Sequence, residues 1–381
     1  MASVYLVAAE PSGDLLASEI IEAIREKAPG TEIHGIGGEH MAEAGIRSPI
    51  DTSELSVLGL IEGLKIYKRV IELADQAAED IVRADPDVVG LVDSWGYTLR
   101  VAQRVRERAP HIRLVKVVGP QVWATRPGRA QTLAQTVDHL VCIHAFEAPF
   151  YEPFDLPVTV MGNPALSRGH IGDRSRGREA LGIGADAPML LVLPGSRRGE
   201  IEQVAPVLVE AARRVKSEVP HSRIVMHPSA NVRSQFLEAF PDITQWASVS
   251  PPKADRYDIM ASADYALACS GTVTSELALQ STPFLVGYHT GWITWALARF
   301  LLFKPTHITL LNIAADDTQV VPEFVQTKFK AGPIADTAIG MLNHIEARET
   351  QIAAQRKALS RMGESQLPSA EIAADVLLSS A

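Results

Sequence analysis

Leu191-Val192-Leu193-Pro194-Gly195-Ser196-Arg197-Arg198-Gly199-Glu200-Ile201 is an apolar run that stops in a small-residue turn and then opens an amphipathic helix. A strand feeding a Gly/Ser turn at a helix start leaves several backbone N–H groups unpaired, with the positive end of the helix dipole behind them. Such a turn suits a phosphate, and Arg197 and Arg198 add cationic donors. It is neither a Walker loop, which needs Gly-Lys-Ser/Thr, nor a Gly-x-Gly-x-x-Gly dinucleotide turn. Standing alone, it reads first as a capped β-α turn with two solvated arginines. The rest of the chain decides between the two readings.

On both sides of this turn, apolar β-branched runs alternate with segments of helical period. Upstream, strands are expected at 4–8, 32–36, 88–92, 112–118, 140–143 and 158–161, with helices at about 13–27 and 99–106. In the first helix Leu16, Ile20, Ile21 and Ile24 share one face. Downstream, the strand 191–193 and a helix at about 201–215 are followed by strands at 224–226, 266–268 and 284–287. Strands alternating with helices imply parallel sheets covered on both faces. The polar, Gly-rich stretch from Ser167 to Arg178 reads as a linker. The expected architecture is therefore α/β: two successive doubly wound domains at 1–166 and 189–345, joined by a linker at 167–188. Closing helices over 346–381 could pack back on the first domain.

At 381 residues the chain is long enough for two cores of ordinary size. Lys+Arg 36 against Asp+Glu 45 gives a formal charge of −9, which argues against a general nucleic-acid binder. Cys142 and Cys269 both sit in apolar, strand-like runs and fit buried thiols of a cytosolic protein; no zinc-type spacing is present. The N-terminus lacks a basic segment and reaches Glu10 too soon for a secretion signal. The longest apolar run, 293–303, is interrupted by Arg299 and falls short of the roughly 20 residues of a spanning helix.

In open parallel sheets ligands lie beyond the C-terminal strand ends, so two facing domains are expected to form a cleft lined by both sets of loops. Those loops are small and polar here. Ser12-Gly13-Asp14 opens the first helix, where capping is the simplest role, yet Gly13 admits a ligand to the backbone and Glu10 and Asp14 place two carboxylates nearby. Ser270-Gly271-Thr272 opens a helix after a buried strand, and Glu276 follows on about the same face one turn later. Backbone N–H groups can hold a diphosphate while a carboxylate accepts both hydroxyls of a ribose. Trp123 and Arg126, after another strand end, could stack on or pair with a ligand, or simply pack. The apolar segments 55–71 and 292–303, flanked by Lys65, Lys68, Arg69 and Lys304, read as ordinary helices or as surfaces that dip into a membrane. His144, His227 and His289 read as structural.

Taken together these residues resemble the lipid-A-disaccharide synthase family, bacterial glycosyltransferases of the GT-B type with two Rossmann-like domains facing across a cleft. The resemblance covers nearly the whole chain. It is carried by Glu-Pro-Ser-Gly-Asp at 10–14, Gly-Ile-Gly-Gly-Glu-His-Met at 35–41, Glu-Leu-Ser-Val-Leu-Gly-Leu-Ile-Glu at 54–62, Val-Trp-Ala at 122–124 with Arg126, Leu-Pro-Gly-Ser-Arg at 193–197, and Ser-Gly-Thr at 270–272 with Glu276. It implies transfer of 2,3-diacylglucosamine from its UDP-activated form to the 6-hydroxyl of 2,3-diacylglucosamine 1-phosphate, with inversion and release of UDP. No metal or other cofactor is implied. The expected setting is the cytoplasmic face of the inner membrane of a Gram-negative bacterium, with the enzyme peripheral on that surface and able to form a homo-oligomer.

On this resemblance Gly195, Ser196, Arg197, Ser270, Gly271, Thr272, Glu276 and Asn312 would hold UDP, and Ser12, Gly13, Glu62, Trp123 and Arg126 the acylated acceptor. Asp93, Asp14 and Glu10 are the candidate bases, and Arg197 the cation that stabilises the leaving diphosphate. The chain departs from the family where Asp-x-Pro-Asp-Phe is usual: it has Asp93-Ser94-Trp95-Gly96-Tyr97, so Gly96 stands where a catalytic carboxylate is expected. Asn163, Gly119-Pro120-Gln121 and Thr125 also depart, all on the acceptor side or at the domain junction. That asymmetry admits an alternative, a diverged paralogue with an altered acceptor or a catalytically silent protein that binds UDP-sugar or lipid. A sugar-nucleotide epimerase of similar two-domain shape is a third reading.

Overall fold

The structure, a computed structural model, describes residues 2–52, 63–289, 305–363 and 367–381. Glu62, the motif at 54–62, residues 55–62 of the first apolar segment and all of the second lie outside the described residues. The chain divides into two compact units, Met1–Ser167 with Gly363–Ala381, and Arg168–Met362.

Unit 1 runs β1 (Ser3–Val7), α1 (Pro11–Lys27), β2 (Glu32–Ile36), α2 (Glu39–Glu43), α3 (Gly63–Ala84), β3 (Val88–Val92), α4 (Trp95–Arg108), β4 (Arg113–Val117), α5 (Arg129–Ala134), β5 (His139–Cys142), β6 (Val158–Val160) and α6 (Pro164–Ser167). Its sheet has the order β2-β1-β3-β4-β5-β6, every pair parallel. All five residues of β3, Val-Val-Gly-Leu-Val, are buried, the pattern of a strand covered on both faces. One face is covered by α3 and α4: Leu73, Ala74, Ala77, Ala78 and Ile81 of α3 meet Val101, Ala102 and Val105 of α4 at helical spacing. The other is covered by α1, through Leu16, Ile20, Ile21 and Ile24, and by the helix Ser369–Ser380. That helix sets Ala373, Ala374 and Leu377 into the same core as Val4 and Leu6, and Lys27 of α1 donates to Asp375 at 2.8 Å.

Unit 2 runs α7 (Arg174–Ala180), β7 (Met189–Leu193), α8 (Arg198–Gln203), α9 (Ala205–Glu218), β8 (Arg223–Met226), α10 (Arg233–Ala239), β9 (Ser248–Val249), α11 (Arg256–Ser262), β10 (Tyr265–Cys269), α12 (Val273–Leu279), β11 (Phe284–Tyr288) and β12 (Glu323–Val325). Three further helices, Leu310–Ala314, Ala331–Asn343 and Ile345–Arg361, belong to it. Its sheet is again parallel, ordered β12-β11-β10-β7-β8-β9, which is the 3-2-1-4-5-6 order of a dinucleotide-type fold read from the other edge.

Two segments differ from the sequence expectation. The stretch 168–188 is no free tether: Asp173 caps α7 through the N–H groups of Ser175 and Arg176, Arg176 pairs with Asp258, and Gly177 lies where a Cβ would meet Asp258 O at 2.2 Å. Composition alone does not show that Arg176 has a buried carboxylate partner on α11, Asp258, or that Arg174 and Arg178 pair with Asp264. Of the closing helices, Ile345–Arg361 stays with unit 2, where Gln351 donates to Phe284 O at 2.6 Å, and Ser369–Ser380 joins unit 1. Among the described residues no helix is long and apolar enough to cross a membrane.

Candidate functional site

In each sheet the connections reverse direction at one point, between β1 and β3 in unit 1 and between β7 and β10 in unit 2. Loops leaving adjacent strands there turn to opposite faces and open a crevice. The polar stretches 10–14, 93–96, 194–197 and 270–272 fall on these four loops.

In unit 1, Asp93 and Ser94 follow β3 with φ of +52° and +43°, two consecutive non-glycine residues in the left-handed region. Such a residue costs on the order of 1–3 kcal/mol, so its surroundings must hold it. Beneath the turn lies Lys116 of β4, 1 % exposed, whose ammonium donates to Leu91 O at 3.1 Å, to Thr98 Oγ1 at 2.9 Å and to the carbonyl of Asp93. Thr98 in turn donates to Asp93 O at 2.8 Å. Burial pulls the Lys116 ammonium down to about 7, against the opposing pull of Asp93 and Glu10. The clamped turn aims its side chains at the start of α1: Ser12 donates to Asp93 Oδ2 at 3.3 Å, and Ser94 donates to Glu10 Oε1 at 3.0 Å. Gly13 permits the approach, since a Cβ there would stand 3.3 Å from Asp93 Cβ. Asp93, Glu10, Ser12 and Gly13 are thus one cluster.

Asp14 is not part of it. Its carboxylate is 4 % exposed and accepts the N–H groups of Gly38 at 2.7 Å, His40 at 2.8 Å and Met41 at 3.3 Å. It caps α2, and its oxygens are engaged by three backbone donors rather than by the Asp93 turn. The motifs 10–14 and 35–41 are therefore two sides of one contact. Trp123 packs edge-on against Phe146 at 5.4 Å, its Nε1 without a partner among the described residues, and Arg126 is exposed with φ +47°. Arg129 lies over Trp95, 5.3 Å from the ring centre, which brings this segment to the start of α4 beside Ser94.

In unit 2 the crevice between β7 and β10 is a cavity of about 180 Å³ lined by Gly195, Ser196, Glu200, His227, Ser229, Arg256, Ser270, Gly271, Thr272 and Glu276, among others. Glu276 is 6 % exposed, and its Oε1 meets Arg256 Nη2 at 2.8 Å. Burial holds its carboxyl above the ordinary range, against the pull of Arg256. Among the described residues the backbone N–H groups of Gly271, Thr272 and Val273 have no protein acceptor, so this turn presents donors to the cavity. His227 is pushed down to about 4, chiefly by burial and then by Arg233 and Arg256; its Nδ1 meets Ser250 Oγ at 2.7 Å, so it lines the wall as a neutral ring.

Two sequence-derived nucleotide residues do not turn their side chains into the cavity. Among the described residues the Arg197 side chain, 82 % exposed, pairs with Glu200 alone, at 3.4 Å, and the guanidinium in the cavity wall is that of Arg256. Arg256 escaped notice because it follows β9, a two-residue strand too short to show in hydropathy. Asn312 is fully buried, donating to Val321 O and Glu323 Oε1 and accepting from the N–H groups of Val320 and Val321. No capacity remains for a ligand. Asn312→Ala is accordingly expected to cost about 1–3 kcal/mol of stability in urea denaturation through the stranded N–H groups, with UDP affinity unchanged by titration calorimetry.

Comparison with known proteins agrees with this geometry. The lipid-A-disaccharide synthetase family model matches residues 4–377. The lipid-A-disaccharide synthase of Rhodospirillum centenum is 34 % identical over 377 residues, covering 98 % of this chain and 94 % of that protein. That of Ruegeria pomeroyi is 35 % identical over 385 residues, with coverage of 98 % and 94 %. In fold, the chain is similar to the UDP-GlcNAc 2-epimerase of Neisseria meningitidis solved with UDP-GlcNAc, at a TM-score of 0.56 and 14 % identity over 100 % of both chains. Two parallel Rossmann-like sheets, motifs collected at their switch points and a family match over nearly its whole length make this chain a member of the lipid-A-disaccharide synthase family, UDP-sugar glycosyltransferases of GT-B fold.

Proposed function

We propose that the protein transfers 2,3-diacylglucosamine from UDP-2,3-diacylglucosamine to the 6-hydroxyl of 2,3-diacylglucosamine 1-phosphate, inverting the anomeric carbon and releasing UDP. The observation that carries this reading is the cavity between β7 and β10. It combines a buried carboxylate, Glu276, paired with Arg256, and a turn of free N–H donors at 271–273, the complement of a ribose and a diphosphate. In unit 1 Asp93 serves as base. The acceptor oxygen forms its bond to the anomeric carbon as the bond to the diphosphate oxygen breaks; the proton passes to the Asp93 carboxylate, and the negative charge leaves with UDP. Glu10 and Ser12, tied to the same turn, orient the acceptor hydroxyl. Trp123, Arg126 and Glu62 belong to the acylated acceptor. The acyl chains place the enzyme on the cytoplasmic surface of the inner membrane.

The family resemblance includes a carboxylate that is Gly96 here. Gly96 lies in the first turn of α4, where a Cβ would meet Arg100 Nη1 at 3.9 Å, and Asp93 is the carboxylate at this turn that the fold holds toward α1. Incubation with UDP-diacylglucosamine and diacylglucosamine 1-phosphate should yield disaccharide and UDP. Tight UDP binding without product would identify a silent UDP-sugar-binding paralogue, and conversion of the donor without acceptor would identify an epimerase.

A further inference from the structure

The turn after β7 is occupied by the protein's own carboxylate. Glu200 of α8 folds back so that its Oε2 accepts the N–H of Ser196 at 2.7 Å and of Arg197 at 3.2 Å, while Oε1 lies 3.4 Å from Arg197 Nη1. The Cys269 thiol, at the end of β10, and the Tyr288 hydroxyl, of β11, both lie within the field of the same carboxylate. Gly195 makes room: its φ is +127°, and a Cβ there would stand 2.6 Å from Glu200 Cβ. The Glu200 side chain is 12 % exposed and lines the cavity. In composition the set is an anion site, two backbone N–H groups and a guanidinium, filled from within.

We propose that Glu200 is a positioning residue that competes with the diphosphate of the nucleotide for this turn, and by returning to it hastens the departure of UDP. The proposal rests on the reading of the cavity as the UDP site. A nucleoside diphosphate entering a cavity of about 180 Å³ brings like charge within a few ångströms of Glu200. Both anions cannot hold the N–H groups of Ser196 and Arg197. When UDP-sugar binds, a phosphate takes these donors and Glu200 turns out toward the exposed Arg197 guanidinium. Once the sugar has been transferred, UDP carries more negative charge than it did as part of the donor, and the repulsion is largest when release is required.

The rival account is a capping box, in which Glu200 reaches back to the helix start and touches no ligand. The sign of one measurement separates them. Glu200→Gln keeps the shape and an acceptor oxygen but removes the charge; Glu200→Ser removes charge and reach together; Glu200→Asp keeps the charge on a shorter arm. Titration calorimetry with UDP should show the neutral variants binding about tenfold more tightly than the wild type, equivalent to about 1.4 kcal/mol, with no such gain for Glu200→Asp. In steady state the neutral variants should lower kcat and KM together, while single-turnover product formation keeps its rate. UDP affinity equal to or weaker than wild type in a neutral variant that melts cooperatively overturns the proposal and leaves Glu200 a cap. A wild-type enzyme that does not bind UDP overturns instead the reading of the cavity beneath it.

Discussion

Asp93→Asn is expected to lower kcat by about 10²- to 10⁴-fold, the range lost when a positioned general base is removed, while leaving UDP affinity unchanged. The substitution suits the fold. Asparagine is as much at home in the left-handed region as aspartate, so the turn at φ +52° survives, as do the hydrogen bonds of Lys116 and Thr98 to its carbonyl. Its amide oxygen still accepts from Ser12, but the carboxamide cannot take a proton at neutral pH. Disaccharide formation and UDP titration on one preparation supply both halves of the test. Turnover within about threefold of wild type would remove Asp93 from the mechanism and pass the role to Glu10, which meets Ser94 on the same cluster.

Glu276→Gln is expected to weaken UDP binding by about 10- to 150-fold, the equivalent of about 1.5–3 kcal/mol for hydrogen bonds to a charged group. The carboxylate can accept both ribose hydroxyls at once, whereas the amide must turn its nitrogen toward one of them. Stability should change little, because Arg256 is half exposed and can be solvated when its partner is neutralised. A second ligand sharpens the test: wild type should bind UDP more tightly than 2′-deoxy-UDP, and Glu276→Gln should lose most of that preference. Equal discrimination in both proteins would place the ribose elsewhere.

Both residues were legible in the sequence, for different reasons. Glu276 follows Thr272 by four residues after a buried strand, and Asp93 ends an apolar run, so periodicity alone puts them at strand ends in an alternating α/β chain. The motifs 10–14 and 35–41 could be seen but not joined, since Asp14 reaches Gly38 across 24 residues by a contact that depends on β1 and β2 pairing in register. Lys116 was invisible for a related reason. In sequence it is one charged residue within Leu-Val-Lys-Val-Val, and only the clamp on the Asp93 turn explains an ammonium at the centre of a sheet. Arg197 and Asn312 show the converse. Their residue types fit a nucleotide, but side-chain direction is set by tertiary packing, which turns one to solvent and consumes the other.

The helix Ser369–Ser380 has a consequence for synthesis. Unit 2 is continuous in sequence, whereas the core of unit 1 is completed by Ala373, Ala374 and Leu377, with Leu377 closing over the glycine of β3. On the ribosome the unit that begins first therefore finishes last: the part of its β1–β3 face that this helix covers beside α1 stays open while the 195 residues of unit 2, 168–362, emerge and fold. At about 5–20 residues per second that wait is roughly 10–40 s, a window in which Val4, Leu6 and Val88 stand open to chaperones.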